Sequence, residues 1–220
     1  MDAFLSLLEK CTLFSDLREE TIKKELLPHG QLRRIPKGSY LLLPQERLDR
    51  FGVLLSGRIH TMHIFMDGSY SIMDSLDEGE VFGADLICTR SRISPYHAVA
   101  AENSRLLTFP CSLLLAPGAL AENTRQQILS RLLTLISNFN MQKEYRLAIL
   151  SRKGLRERIM TYLSMQASKR HTNSFTIPFS REEMASFLCV NRSALSHELS
   201  LMKKEGLISF RKNKFTLLDR

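Results

Sequence analysis

The chain has 220 residues, a hydrophobic share of 44%, a charged share of 25% and a formal net charge of +8. These values exclude a disordered chain, and no apolar run approaches the roughly 18 to 20 residues of a membrane-spanning helix. The length predicts two domains of ordinary size, each with its own hydrophobic core.

Short helices and then a sheet are predicted for the first 118 residues. Residues 3–27 show helical apolar spacing, and from residue 30 to residue 109 short apolar stretches alternate with turn sequences. Regular short strands separated by such turns are typical of an antiparallel β-sandwich or barrel. The turn sequences are Pro36-Lys37-Gly38, Ser56-Gly57, Asp67-Gly68, Glu78-Gly79-Glu80 and Ser94-Pro95.

A long helix is predicted over residues 121–150, which contain neither Gly nor Pro. Its apolar residues recur at seven-residue spacing, which indicates pairing with a second copy of the same helix. We therefore predict that residues 119–150 form a dimerisation helix, with a monomer whose helix packs on its own sheet as the alternative. The predicted dimer contacts are Ile128, Leu132, Leu135, Ile136 and Phe139, and a neighbouring row holds Leu129, Leu133 and Ile136, then Leu147 and Leu150.

The positive charge is confined to the last third of the chain, residues 151–220. This segment contains 14 Lys+Arg and 6 Asp+Glu, whereas residues 1–150 contain 17 of each class. A neutral body joined to a basic segment indicates a polyanion partner for that segment, most simply nucleic acid. A solvated basic face without a partner is the alternative.

A helix-turn-helix is predicted inside the basic segment, after a hinge at residues 151–154. Ser180-Arg181-Glu182-Glu183 has the pattern of a capping box, and Asn191 is suited to cap a second helix after a turn of about three residues. The alternative is a helical hairpin used for protein contacts. The apolar residues predicted to face the first helix are Leu195, Leu199 and Met202.

The outward face of the second helix is predicted to enter the major groove of double-stranded DNA. After Gly206, residues 207–210 and 215–218 are predicted to form the strands of a wing whose basic tip contacts phosphates, with residues 174–178 as a third strand. The predicted DNA contacts are Ser180, Asn191, Arg192, Ser193, Ser196, His197, Lys203, Arg211, Lys212 and Lys214.

The cysteines indicate a reducing compartment. They are far apart, form no Cys-x-x-Cys pair, and follow a start that is too short and too acidic for a signal peptide. We therefore expect a cytoplasmic protein without a membrane contact, in which the thiols fill the core. These residues are Cys11, Cys88, Cys111 and Cys189.

Several short sequences along the chain are similar to motifs of one family. They are Pro36-Lys37-Gly38, Val53-Leu54-Leu55-Ser56-Gly57, Asp67-Gly68, Gly79-Glu80-Val81-Phe82-Gly83, Glu157-Arg158-Ile159 and the stretch 179–208. In these sequences the chain resembles the Crp/Fnr family of bacterial transcription regulators. The resemblance implies an α+β fold, with an N-terminal antiparallel β-roll of the cyclic-nucleotide-binding type, a long dimerisation helix and a C-terminal winged helix-turn-helix.

The resemblance also implies partners and a reading pattern. It implies a homodimer on a two-fold-related operator, with RNA polymerase as a partner if the protein activates transcription. The family's base-reading Arg-Glu-x-x-x-Arg falls on Arg192, Ser193 and His197, and only the first residue matches. We therefore expect an operator that differs from the best-known ones.

The effector is the least determined part of the resemblance. In members that bind cyclic AMP, a Phe-Gly-Glu turn and an Arg-Ser pair hold the ribose and the phosphate. The matching positions here lack both groups, although Arg90 and Arg92 in the same loop could supply a cation. We expect an unknown small effector rather than cyclic AMP, with no certain cofactor and an empty roll as the alternative. The candidate effector residues are Phe82, Gly83, Ala84, Asp85, Tyr96, His97 and Ala98.

Two other functions compete with a regulator. An enzymatic function has no support from the motifs. His60 and His63 are three residues apart on a predicted strand, which places them on opposite faces where they cannot share a metal, and Gly79 to Gly83 matches no phosphate loop. A regulatory module of a signalling complex, with the basic domain as a protein-docking element, is the second alternative. Binding to DNA separates these alternatives from a regulator.

Overall fold

The computed structural model describes residues 2–218, with only the backbone for residues 2–4. The outermost predicted domain limits, residue 1 and residues 219–220, lie outside these described residues. The chain forms two compact units, Met1–Asn140 and Met141–Arg220. This division falls inside the long helix, whereas the predicted segments 1–118, 119–150 and 151–220 follow changes of secondary structure and stay a prediction.

The first unit begins with short helical segments whose apolar residues join the core of its sheets. Helix α1 (Asp2–Lys10) buries Leu5 and Leu8. Helix α2 (Glu19–Thr21) continues through a π-helical turn, Ile22–Leu26, into a 3₁₀ turn, Leu27–His29. The predicted N-terminal helices are therefore confirmed.

Two four-stranded antiparallel sheets follow, as the turn sequences predict. One sheet has the order β1-β8-β3-β6 and the other β2-β7-β4-β5. Both contribute to one hydrophobic core, in which the Phe109 ring lies 5.7 Å from Phe14 and 5.6 Å from Phe51. The strands are β1 (Gln31–Ile35), β2 (Tyr40–Leu42), β3 (Arg50–Ser56), β4 (Ile59–Ile64), β5 (Tyr70–Leu76), β6 (Val81–Phe82), β7 (His97–Ala100) and β8 (Ser104–Pro110).

A short helix α3 (Ser112–Leu115) precedes the 29-residue helix α4 (Glu122–Leu150). One face of α4 packs on the core of its own unit: Ile128 and Leu132 are 0% and 2% exposed. Since a side chain already enclosed by its own chain has no free surface for a partner, these two residues do not form an open dimer face. Among their neighbours in sequence, Leu133 is 66% exposed.

The second unit is a three-helix domain with a small sheet. Its elements are α5 (Leu155–Arg170), β9 (Ser174–Thr176), α6 (Arg181–Phe187), α7 (Arg192–Lys204), β10 (Ile208–Arg211) and β11 (Lys214–Leu217). The sheet order is β10-β11-β9, and both pairings are antiparallel. Leu195, Leu199, Met202 and Phe215 are fully buried, so the helices and the wing share one core.

The cysteine expectation was correct for two positions and wrong for two. Cys11 and Cys111 are buried, and burial raises the pKa of the Cys11 thiol to about 11. Cys88 and Cys189 are exposed. Cys189 has a φ of +56°, which turns the chain sharply between α6 and α7 and leaves its side chain outside the core. Within residues 2–218 no helix combines the length and the apolar character needed to cross a membrane.

Candidate functional site

Helices α6 and α7 begin where side-chain caps satisfy their first amides. Glu183 N–H donates to Ser180 Oγ at 3.2 Å, and Ser180 N–H donates to Glu183 Oε2 at 2.7 Å, which completes the predicted capping box. Asn191 Oδ1 accepts from Ala194 N–H at 2.7 Å. Both cap predictions are confirmed, and the caps fix where the second helix starts.

The exposed face of α7 carries the polar residues that the sequence places there. Leu195, Leu199 and Met202 have 0% exposure, whereas the predicted reading residues on the opposite side are exposed. The Arg192 side chain is 67% exposed and lies in the first turn of α7. A protruding helix start with outward hydrogen-bond donors has the shape and chemistry that a major groove accepts. The exposed residues are Arg192, Ser193, Ser196 and His197.

The wing follows α7 through a helix end that only glycine adopts easily. Gly206 has a φ of +73°, Leu207 N–H donates to Met202 C=O at 3.0 Å, and Gly206 N–H donates to Lys203 C=O at 3.2 Å. Strands β10 and β11 then pair around the turn Lys212-Asn213. The exposed cations of the wing are Arg211, Lys212 and Lys214.

The candidate effector turn of the first unit is closed by the chain's own side chains. Tyr96 Oη donates to the Asp85 carboxylate, at 2.9 Å from each oxygen. Burial first, and then the negative charge of Asp85, raises the pKa of Tyr96. A Cβ atom added at Gly83, whose φ is +81°, would lie 2.7 Å from the Leu48 side chain, so this turn has no room for a larger residue.

One candidate effector residue, His97, lies on the opposite face of its strand from Ala98. Ala98 and Ala100 are buried, whereas His97 and Val99 are half-buried, because successive side chains of a strand face opposite sides of a sheet. The His97 ring lies instead 5.9 Å from that of Tyr40, a residue that is 52% exposed. His97 and Ala98 therefore lie on opposite faces of β7, although the Nδ1 atom of His97 is itself buried, and an effector role for His97 stays a prediction.

Known families match both units. Residues 32–116 match the cyclic nucleotide-binding domain, and residues 157–220 match the Crp-like helix-turn-helix domain. Together the two matches span most of the chain and occur in the order that the resemblance implies. The chain belongs to the Crp/Fnr family. Its fold class, a β-roll followed by a long helix and a winged helix-turn-helix, is confirmed, and it is a transcription regulator rather than an enzyme.

Individual proteins are similar to this Crp/Fnr chain in sequence or in fold. Electron transport regulator A of Shewanella oneidensis is 25% identical over 190 residues, which are 84% of this chain and 74% of the relative. The c-di-GMP responsive global regulator CLP of Xanthomonas campestris has a TM-score of 0.69 at 16% identity, over 92% of this chain and 100% of that one. FixK2 of Bradyrhizobium japonicum has a TM-score of 0.61 at 18% identity, over 87% and 93%.

The structure adds an acidic neighbour to the predicted reading surface of this Crp/Fnr regulator. Glu182 of α6 is 65% exposed at its side chain, and its carboxylate lies 4.0 Å from Arg192 Nε. Sequence reasoning assigned Glu182 only to the helix start, because its proximity to Arg192 depends on how α6 and α7 cross. A surface pair at this distance contributes little stability.

An arginine behind the reading helix was also missed. Arg156 of α5 donates to Glu198 at 2.6 Å and to both Glu205 oxygens at 2.6 and 2.9 Å. These bonds tie the middle and the end of α7 to α5. No local signal predicts them, because Arg156 and Glu205 are 49 residues apart.

Proposed function

We propose that this Crp/Fnr regulator is a cytoplasmic homodimer that binds a two-fold-related operator through α7 and the wing. The observation that carries the proposal is that the start of α7 exposes Arg192, Ser193, Ser196 and His197 while its other face is buried. In a symmetric dimer the two α7 helices need a spacing of about 34 Å to enter successive major grooves. If the protein activates transcription, RNA polymerase is its further partner.

Selection of bound duplexes from a random pool tests this function. We expect an enriched motif with two-fold symmetry, because two equal reading helices impose equal half-sites. A pool without any enriched symmetric motif would contradict the proposal and favour the protein-docking alternative for the basic unit. Titration of a generic duplex at several salt concentrations should accompany the selection, since phosphate contacts alone bind all sequences alike.

Removing a positive charge from the wing tip is expected to weaken binding to every duplex by the same factor. Lys212 is exposed in the turn between β10 and β11, where a cation is placed for phosphate contact rather than base reading. For Lys212→Gln we expect the slope of log K against log salt to fall in magnitude by about 0.9 for each half-site. Fluorescence anisotropy with the selected operator and with a scrambled duplex measures both slopes. A loss confined to the operator would contradict the phosphate assignment.

We propose that the dimer uses the neighbouring row of α4, with Leu133 at its centre. Leu129 and Ile136 lie one turn before and about one turn after Leu133, and both are half-buried. Ile128 and Leu132 face the protein's own core, and Leu129 and Ile136 pack partly against it, so Leu133 is the side chain of this row that a second copy can cover most fully. A signal in the roll that changes this packing resets the spacing of the two reading helices.

The effector proposed for the roll is a small molecule other than cyclic AMP. A buried phosphodiester needs a cation and donors, whereas the candidate turn presents the Asp85 carboxylate, already paired with Tyr96. Phe82 and Ala84, which are 5% and 1% exposed, make the surroundings of this turn apolar. This favours a neutral or cationic ligand over a cyclic nucleotide.

Thermal unfolding tests the ligand class. A ligand that binds the native state, at 100 times its Kd, adds about 2.7 kcal/mol of stability and so raises Tm. Because we propose that cyclic AMP and cyclic di-GMP do not bind, we expect either nucleotide at millimolar concentration to leave Tm unchanged. A rise of several degrees with either nucleotide would contradict the exclusion of phosphodiesters. The same comparison with Asp85→Asn shows whether the carboxylate is what repels them.

A further inference from the structure

The wing turn of the second unit is held at both of its residues. Ile177 N–H donates to Asn213 C=O at 3.0 Å, and Asn213 Nδ2 donates to Ile177 C=O at 3.1 Å. Arg181 Nη2 donates to Lys212 C=O at 3.2 Å. Lys212 has a φ of +55°, a conformation that costs energy for a residue with a side chain and persists where surrounding contacts hold it.

Arg181 also stacks on the aromatic pair of the wing. Its guanidinium carbon lies 5.1 Å from the centroid of Phe210 and 5.7 Å from that of Phe215, and the two rings are stacked 5.6 Å apart. Burial, followed by the charge of Arg192, lowers the pKa of Arg181, so the guanidinium is partly removed from water. A partly desolvated planar cation against an aromatic face binds more strongly than an exposed one.

A second cation approaches the same ring from α7. Lys203 Nζ lies 5.4 Å from the centroid of Phe210. Both helices of the helix-turn-helix therefore contact Phe210 through a cation, but only Arg181 also reaches the backbone of the turn. A lysine at position 181 would keep the charge and lose the planar fork that stacks and donates at once.

We infer that Arg181 is a positioning residue for the wing: it ties the turn Lys212-Asn213 to the start of α6, so that the basic tip keeps one arrangement relative to α7. A pre-ordered tip binds without an ordering cost at the moment of contact. The effect of this ordering on DNA binding rests on the proposed function, whereas the contact between Arg181 and the wing turn in the free protein does not depend on it.

Amide hydrogen exchange in the DNA-free protein tests the inference. The Ile177 amide reports on the turn, because it donates to Asn213. In Arg181→Gln we expect it to exchange about tenfold faster or more, while the amides of Leu199 and Met202 in the core helix keep their rates. Phe210→Leu leaves all charges in place and should also accelerate the exchange of the Ile177 amide. Equal acceleration in the wing and in α7 would mean general destabilisation and would overturn the inference.

Arg181→Lys separates positioning from direct phosphate binding. A lysine still binds phosphate as a point charge, so a purely phosphate-binding role predicts wild-type exchange and nearly wild-type affinity for a generic duplex. The positioning role predicts that Arg181→Lys resembles Arg181→Gln in both measurements. Lys204→Gln is the matched control, since it removes one exposed cation of α7 and should leave Ile177 unchanged. If the wild-type protein failed to bind any duplex, the proposed function would fall, and the exchange rates would still decide the role of Arg181.

Discussion

Replacing Arg192 by alanine is expected to remove sequence discrimination at one base position of each half-site. A bidentate contact between a guanidinium and guanine contributes about 1 to 3 kcal/mol of discrimination, which is about fivefold to 150-fold per half-site. Arg192 is the one position of the family's reading pattern that this chain retains, and its side chain is 67% exposed in the first turn of α7. Competition between the selected operator and single-base variants measures the loss.

Arg211→Ala is the matched control for Arg192→Ala. It removes the same type of side chain from an exposed position on the wing, where contact with phosphate carries no sequence information. We expect this variant to bind the operator and a scrambled duplex more weakly by the same factor. If Arg192→Ala also weakened both duplexes equally, α7 would not read bases through this residue, and the reading assignment would be wrong.

Leu133→Glu is expected to separate the dimer and to reduce operator affinity by about 2 kcal/mol or more, roughly thirtyfold or greater. A carboxylate at the centre of an apolar helix seam must be desolvated without a partner, and its symmetry mate places a second negative charge opposite. The fold of the single chain should survive, because Leu133 is 66% exposed and lies outside the core that holds Ile128 and Leu132.

Analytical ultracentrifugation and operator titration together test the seam. Met66→Glu is the control, because it makes a similar change at a fully exposed apolar side chain in the turn after β4. We expect this variant to remain dimeric and to bind the operator normally. A dimeric Leu133→Glu with unchanged affinity would show that the second copy packs on another face.

The predictable parts of the fold are those that depend on neighbouring residues. The capping box at Ser180, the cap at Asn191 and the helix end at Gly206 each follow from local hydrogen bonds or from a backbone angle. The outward position of Arg192 follows from the helical period once Leu195 and Leu199 are placed inside. The sequence interpretation of the reading face therefore agreed with the burial in the structure.

The expectations that the structure modifies concern surfaces rather than elements. His97 was grouped with Ala98 by its position in the sequence, although alternation along β7 places the two side chains on opposite faces of the strand. Cys189 was expected inside because free cysteines are usually buried, yet its left-handed backbone at the turn leaves it exposed. For both residues the local backbone geometry decides on which side the side chain lies.

The amino-acid sequence by itself determined the order of elements, the family and the division into a neutral body and a basic end, because periodicity, capping and charge are properties of short stretches. Only the tertiary structure decided that Ile128 and Leu132 of α4 are buried in the protein's own core, that Asp85 is already paired with Tyr96, and that Arg181 donates to the backbone of the wing turn. These facts depend on which distant segments meet, and a one-dimensional pattern contains no distances between them.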